Sequence, residues 1–172
     1  MVADLKPIKD YVIAQLRRTL EEQGHKLSGT LMDSIEAQSF PILNGYVMAF
    51  YYESYGVPLD TGVPAANIKF TLGSGAKTSK YIEALIKYVQ ARGLVSGDKD
   101  ALSMAIAIAR KHKKEGMSTE DSKNYSKTRK RNNWVNNTLA RIDDRLTQLI
   151  NDTLFVIIDD MIYNTIKNYS NG

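Results

Sequence analysis

Ile8, Val12, Leu16 and Leu20 recur every four residues, with Arg17, Arg18, Glu21 and Glu22 interspersed and Gly24 beyond. That spacing predicts an amphipathic helix that stops before the glycine. His25 to Asp33, with Ser28, Gly29 and Thr30, reads as a loop running into a short turn. From Ile35 to Glu53 the pattern changes to β-branched and aromatic residues, and Asn44-Gly45 is a strong signal for the turn of a hairpin, with strands near 35–43 and 46–53. On the second strand Tyr46, Met48, Phe50 and Tyr52 share one face and Val47, Ala49 and Tyr51 the other, so both faces call for cover. Pro41 cannot donate to a ladder and places the first strand at a sheet edge.

Gly56 to Ser79, with Pro58, Pro64 and Gly73-Ser74-Gly75, reads as a long loop. Ile82, Leu85, Ile86 and Val89 then follow helical spacing up to Gly93. A second helix is expected over Asp98–Glu115; its apolar run Ala101–Ala109 predicts burial on most sides, and its last turn carries cations against the negative end of the helix dipole. Met117–Asn133 lacks aliphatic periodicity and reads as a solvated loop or extension. Leu139, Ile142, Leu146, Leu149 and Ile150 form a helical stripe; the run Thr153–Ile158 suits a strand by its β-branched content, but the stripe continues through Ile157 and Met161, which favours one long or kinked helix from about Trp134 to Asn168. About 35 residues at ~1.5 Å each reach roughly 50 Å, more than a small domain can cover, so such a helix needs a partner. The expected architecture is α+β: a small antiparallel sheet with a hairpin packed against helices and a long C-terminal helix. Its expected segments are a core over 1–116, a basic loop or extension over 117–133 and a helical segment over 134–172.

Charge adds a second feature. The net charge is +4, from 23 basic and 19 acidic residues, but Arg110, Lys111, Lys113, Lys114, Lys123, Lys127, Arg129, Lys130 and Arg131 fall in one stretch against only Glu115, Glu120 and Asp121. The stretch is either a solvated loop or a contact for phosphate backbones, the latter sequence-independent and salt-sensitive. Of these, Arg110, Lys111, Lys113, Lys114, Lys127, Arg129, Lys130 and Arg131 are the candidate DNA-facing residues. Tyr125 and Trp134 are too few and too far apart to form a stacking platform.

Candidate chemistry is sparse. The chain has no cysteine, which excludes disulfides, thiol nucleophiles and cysteine-containing metal sites. His25 and His112 have no carboxylate at ligand spacing, and the adjacent pairs Asp143-Asp144 and Asp159-Asp160 diverge by about 100° on a helix. Gly73-Ser74-Gly75-Ala76-Lys77-Thr78 lacks the second glycine of a phosphate loop. No cofactor, no metal and no enzymatic activity are therefore expected. Met1–Lys9 carries both charges and no signal-peptide-length apolar run, and Leu154–Ile158 is too short to cross a bilayer, so neither export nor a membrane partner is expected.

The order of motifs adds a resemblance. Ser28-Gly29-Thr30-Leu31-Met32-Asp33-Ser34-Ile35, a hairpin, Tyr52-Glu53-Ser54-Tyr55-Gly56, then Tyr81–Val89, Ala105–Lys111 and Lys114–Met117 resemble the bacteriophage tail-completion, or head-to-tail joining, family over about Lys6 to Met117. The proline that often precedes the Thr-Gly lead-in is replaced by Leu27-Ser28, and the basic segment and C-terminal helix have no counterpart in the resemblance. The resemblance implies a ring-forming structural subunit at the neck of a virion, made in the host cytoplasm. Its implied neighbours are portal, adaptor or tail-tube proteins, with genomic DNA passing through the lumen without sequence recognition. Tyr46, Met48, Phe50, Tyr52, Leu146, Leu149 and Ile157 are the candidate subunit-interface residues. The alternative is a nonspecific nucleic-acid-binding or regulatory protein using the basic 110–131 segment.

Overall fold

The computed structural model describes residues 4–25, 28–43, 45–71, 73 and 79–170, the side chains of 164–166 and 168–170 excepted. Helix α1 (Lys6–Glu22) starts with Pro7 in its first turn, where the missing N–H costs nothing, and buries Ile8, Val12, Leu16 and Leu20. A single turn, α2 (Thr30–Asp33), buries Leu31 and leads into the hairpin of β1 (Glu36–Ile42) and β2 (Gly45–Tyr51). Helix α3 (Gly56–Thr61) and a 3₁₀ turn, Ala65–Asn67, follow. Helices α4 (Lys80–Ala91) and α5 (Asp98–Glu115) form an antiparallel pair, and α6 (Trp134–Ser170) is one unbroken helix.

These elements enclose two cores. In the first, Val12, Leu16 and Leu20 of α1 meet Leu31, Ile35, and Trp134 and Ile142 of α6. Tyr52 packs edge-on against Trp134 with ring centroids 5.0 Å apart, and the indole Nε1–H donates to the Gly56 carbonyl at 3.3 Å. Gly56 has to be glycine, because a Cβ there would stand 2.6 Å from the Tyr52 ring. The second core joins Ile68 and Phe70 to Ile82 and Leu85 of α4 and Ala105 and Ala109 of α5. The α+β class is thus present, with the hairpin as the entire sheet.

Four local expectations are corrected. The pairing of Ile42 with Gly45 makes Leu43-Asn44 the two-residue loop, rather than Asn44-Gly45; Asn44 itself lies outside the described residues. The expected loop 56–79 contains α3 and the 3₁₀ turn, because Leu59 and Ile68 supply apolar anchors to the two cores and Ser79 begins the next helix by accepting from the Ile82 N–H at 3.2 Å. The Gly73–Thr78 stretch, apart from Gly73, lies outside the described residues. In α5 only Ala101, Ala105 and Ala109 are buried, a seam of small side chains four residues apart that lets α4 approach closely, while the larger residues are half-buried beside it.

The fourth concerns the basic segment. Residues 117–133 form a loop with a 3₁₀ turn at Asp121–Tyr125 whose backbone is tied to the rest of the chain at several points, while most of its charged side chains stay exposed. Met117 exchanges two backbone hydrogen bonds with Val63, at 2.6 and 2.8 Å, and Lys127 N–H donates to Glu22 O at 2.8 Å. His25 Nε2 lies 2.8 Å from Arg131 O, and Asn133 N–H donates to Asp60 O at 2.7 Å. Ser126 and Thr119 are buried. The segment is polar because its backbone and hydroxyls are satisfied by loop carbonyls, a pattern without hydrophobic period.

Candidate functional site

Two apolar surfaces of the chain stand uncovered. The first is the far half of the hairpin: Phe40, Ile42, Leu43, Val47 and Tyr51 are exposed, Leu43 to 97%. The root is held through Phe50 and Tyr52 against the first core and through the Glu53 N–H donating to Ser34 Oγ at 3.1 Å. A two-stranded sheet has two open edges and is marginal alone, so this half contributes exposed backbone and side chains without a covering layer.

The second is the distal part of α6. Its first three turns pack on α1: Thr138 Oγ1 lies 2.7 Å from Thr19 Oγ1, and Arg141 donates to Glu22 at 2.8 Å and to Thr19 Oγ1 at 2.8 Å. The helix start is capped from a distant segment, by Asp60 Oδ1 accepting from the Val135 N–H at 2.9 Å. Beyond Leu149 most of the described apolar side chains of α6 are uncovered. Leu154, Phe155, Val156, Ile158, Met161, Ile162 and Tyr163 are all exposed, Phe155 to 66% and Tyr163 to 65%.

Of the seven candidate interface residues, Phe50, Tyr52 and Leu146 pack against the chain's own first core. Tyr46 is exposed, while Met48, Leu149 and Ile157 are half-buried. Leu154, Phe155, Val156 and Ile158 were missed as surface residues because one-stripe reasoning looks for the buried face; their signal is the unbroken apolar run itself, which no single helix face can bury.

The candidate DNA-facing residues divide similarly. Arg110, Lys114, Lys127 and Arg129 are exposed and take part in no ion pair among the described residues; Lys130 is exposed, with Nζ 3.4 Å from Asn137 Oδ1. Lys111 is ion-paired with Asp121 and, at 3.9 Å, with Glu115, and Lys113 Nζ donates to Ile68 O at 2.9 Å. Arg131 turns inward.

Between the α4/α5 pair and the 117–133 segment lies a half-open cavity of about 660 Å³. Leu59, Leu85, Met104, Ile108 and Met117 are among its apolar walls. At the end of α1 the wall is cationic: Arg92 Nη2 donates to Gly24 O at 2.7 Å, and Arg131 Nη1 reaches the same carbonyl at 3.4 Å. The Arg92 guanidinium lies 5.6 Å from the Tyr88 ring centroid. Both Nε atoms, and the neighbouring Gln23 Oε1, are buried without a hydrogen-bond partner. Gly24 has φ +74°, and a Cβ there would fall 2.2 Å from Tyr125 O and 2.9 Å from Arg131 Nη1. Burial, then the charges of Arg131 and Arg92, hold His25 down at about 4, so it is neutral at pH 7. Elsewhere on the wall the Tyr81 hydroxyl lies 2.7 Å from His112 Nδ1; burial lowers His112 and pushes Tyr81 up to about 12.

Among the described residues no group of three or more His, Asp or Glu side chains is placed to hold a metal ion, and no helix is long and apolar enough to cross a membrane. No protein-family model, curated protein or solved structure matches the chain.

Proposed function

We propose that the protein is a structural assembly subunit that packs against copies of itself, forming a ring of the kind found at a bacteriophage head-to-tail junction. The observation that carries the reading is the uncovered apolar end of α6. Its 37 residues extend for about 55 Å, whereas a compact chain of this length is about 40 Å across. The exposed distal side chains of α6 and those of the hairpin tip offer two separate apolar faces, and a ring gives each subunit two contacts. The resemblance of the ordered motifs between about Lys6 and Met117 supports the neck of a virion as the place, with portal, adaptor or tail-tube proteins as neighbours. Arg110, Lys114, Lys127, Arg129 and Lys130 are the outward cations that would meet genomic DNA in the lumen through its phosphates.

Light scattering of the purified chain over a wide concentration range, with negative-stain imaging of the same samples, tests this. Closed rings of one copy number are the expected result. A monomer at every concentration, with Phe155 and Val156 still reactive to surface labelling, overturns self-assembly; a simple two-fold dimer overturns the ring.

A further inference from the structure

The cavity at the end of α1 has an electrostatic feature that folding alone does not require. Arg92 and Arg131 converge on one neutral acceptor, the Gly24 carbonyl, and neither guanidinium has an ion-pair partner among the described residues. Asp121, the carboxylate on the same wall, is engaged by Lys111. Two like charges held side by side on one carbonyl, each with its Nε buried and no counter-charge beside it, favour a bound anion, for which arginine's planar fork is well suited. His25 cannot supply negative charge, and its Nε2 is committed to Arg131 O. The remainder of the wall mixes aliphatic side chains, Leu59, Leu85, Met104 and Ile108 among them, with tyrosines and hydroxyl groups, and about 660 Å³ is the size of a small-molecule site.

We infer that this cavity binds an amphipathic carboxylate, its head held between Arg92 and Arg131 and its apolar body against Leu59, Leu85, Met104 and Ile108. The inference does not depend on the assembly reading. A simple inorganic anion satisfies the arginines and leaves the apolar wall bare, and a neutral apolar molecule does the reverse. Only a molecule with both parts matches both ends of the cavity.

Calorimetric titration of the full chain with decanoate, octanoate, decanol and inorganic phosphate tests it. The expected result is one saturable decanoate site per chain, with octanoate about fifteenfold weaker for two lost methylenes. Decanol should be at least tenfold weaker, and phosphate should fail to displace decanoate. Arg92→Gln and Arg131→Gln should each weaken decanoate at least tenfold, and Met104→Trp, which leaves both arginines in place, should block it by filling the cavity. The exposed end of α6 offers decanoate a weak alternative, so binding that is equal in wild type and all three folded variants overturns the inference, as does the absence of a saturable site. Phosphate displacing decanoate at equal concentration overturns the amphipathic part. Should either arginine variant fail to fold by far-ultraviolet circular dichroism, the ligand series and Met104→Trp decide.

Discussion

His25 shows how a single side chain couples the ends of the chain to pH. It lies beyond α1, lines the cavity and holds Arg131 O, and its pKa falls from 6.5 to about 4 because burial and two neighbouring guanidiniums oppose its protonation. Between those values the unfolded chain binds a proton that the folded chain does not, so stability rises with pH across the window. The contribution is complete above about pH 6.5 and is lost progressively as pH falls towards 4, reaching about 3 kcal/mol at most. Urea unfolding at pH 7.5, 5.5 and 4.5 should show this decline, and His25→Asn should flatten it; His112, also lowered by burial, adds in the same direction. Thr138 makes a simpler test. Its hydroxyl is fully buried between Thr19 Oγ1 and Trp134 O. Thr138→Val should cost about 1–2 kcal/mol in urea unfolding, because the Thr19 side of the network loses a partner that water cannot replace.

At the level of elements, α6 is two helices in one. Its first part is an ordinary core helix, anchored by Trp134 and Ile142, and its distal part carries large apolar side chains in water. Substitutions should separate the two parts cleanly. Leu16→Ala, opposite α6 in the first core, should cost about 2–5 kcal/mol by leaving a cavity. Phe155→Asp should change the unfolding free energy of the dilute monomer by no more than about 0.5 kcal/mol, yet abolish self-association measured by sedimentation. Equal and large losses of stability in both variants would show that the distal helix is covered by its own chain. The hairpin divides along the same line, with Phe50 and Tyr52 holding the root and Leu43 at the open tip.

For the molecule as a whole, covering the distal helix only on assembly ties stability to concentration. The melting temperature of the wild-type chain should rise as protein concentration increases, by mass action on the assembled state, and that of Phe155→Asp should not. Differential scanning calorimetry over a hundredfold concentration range reads the difference, and a wild-type Tm independent of concentration would count against assembly.

Several of these features were legible before any tertiary structure. Helices α1 and α4 follow directly from apolar spacing and a glycine stop, because helical spacing admits one buried face whatever lies opposite; α5 was legible as a helix from its apolar run, but not that only its alanine seam is buried. The long C-terminal helix was legible in outline, but its β-branched run at 153–158 suits a strand as well as a helix, and the structure resolves it as part of the unbroken α6. The hairpin's existence was legible but its register was not: a turn dipeptide marks a reversal, whereas the cross-strand pairing of Ile42 with Gly45 decides which two residues form the loop. The docking of 117–133, the inward turn of Arg131 and the cap that Asp60 lends to α6 were beyond the reach of sequence patterns. They depend on hydrogen bonds between residues as much as 109 positions apart, and only the tertiary fold brings such partners together. The chain by itself determined which segments are helical and which are apolar; tertiary structure alone decided which apolar faces are covered, because burial depends on where neighbouring elements end.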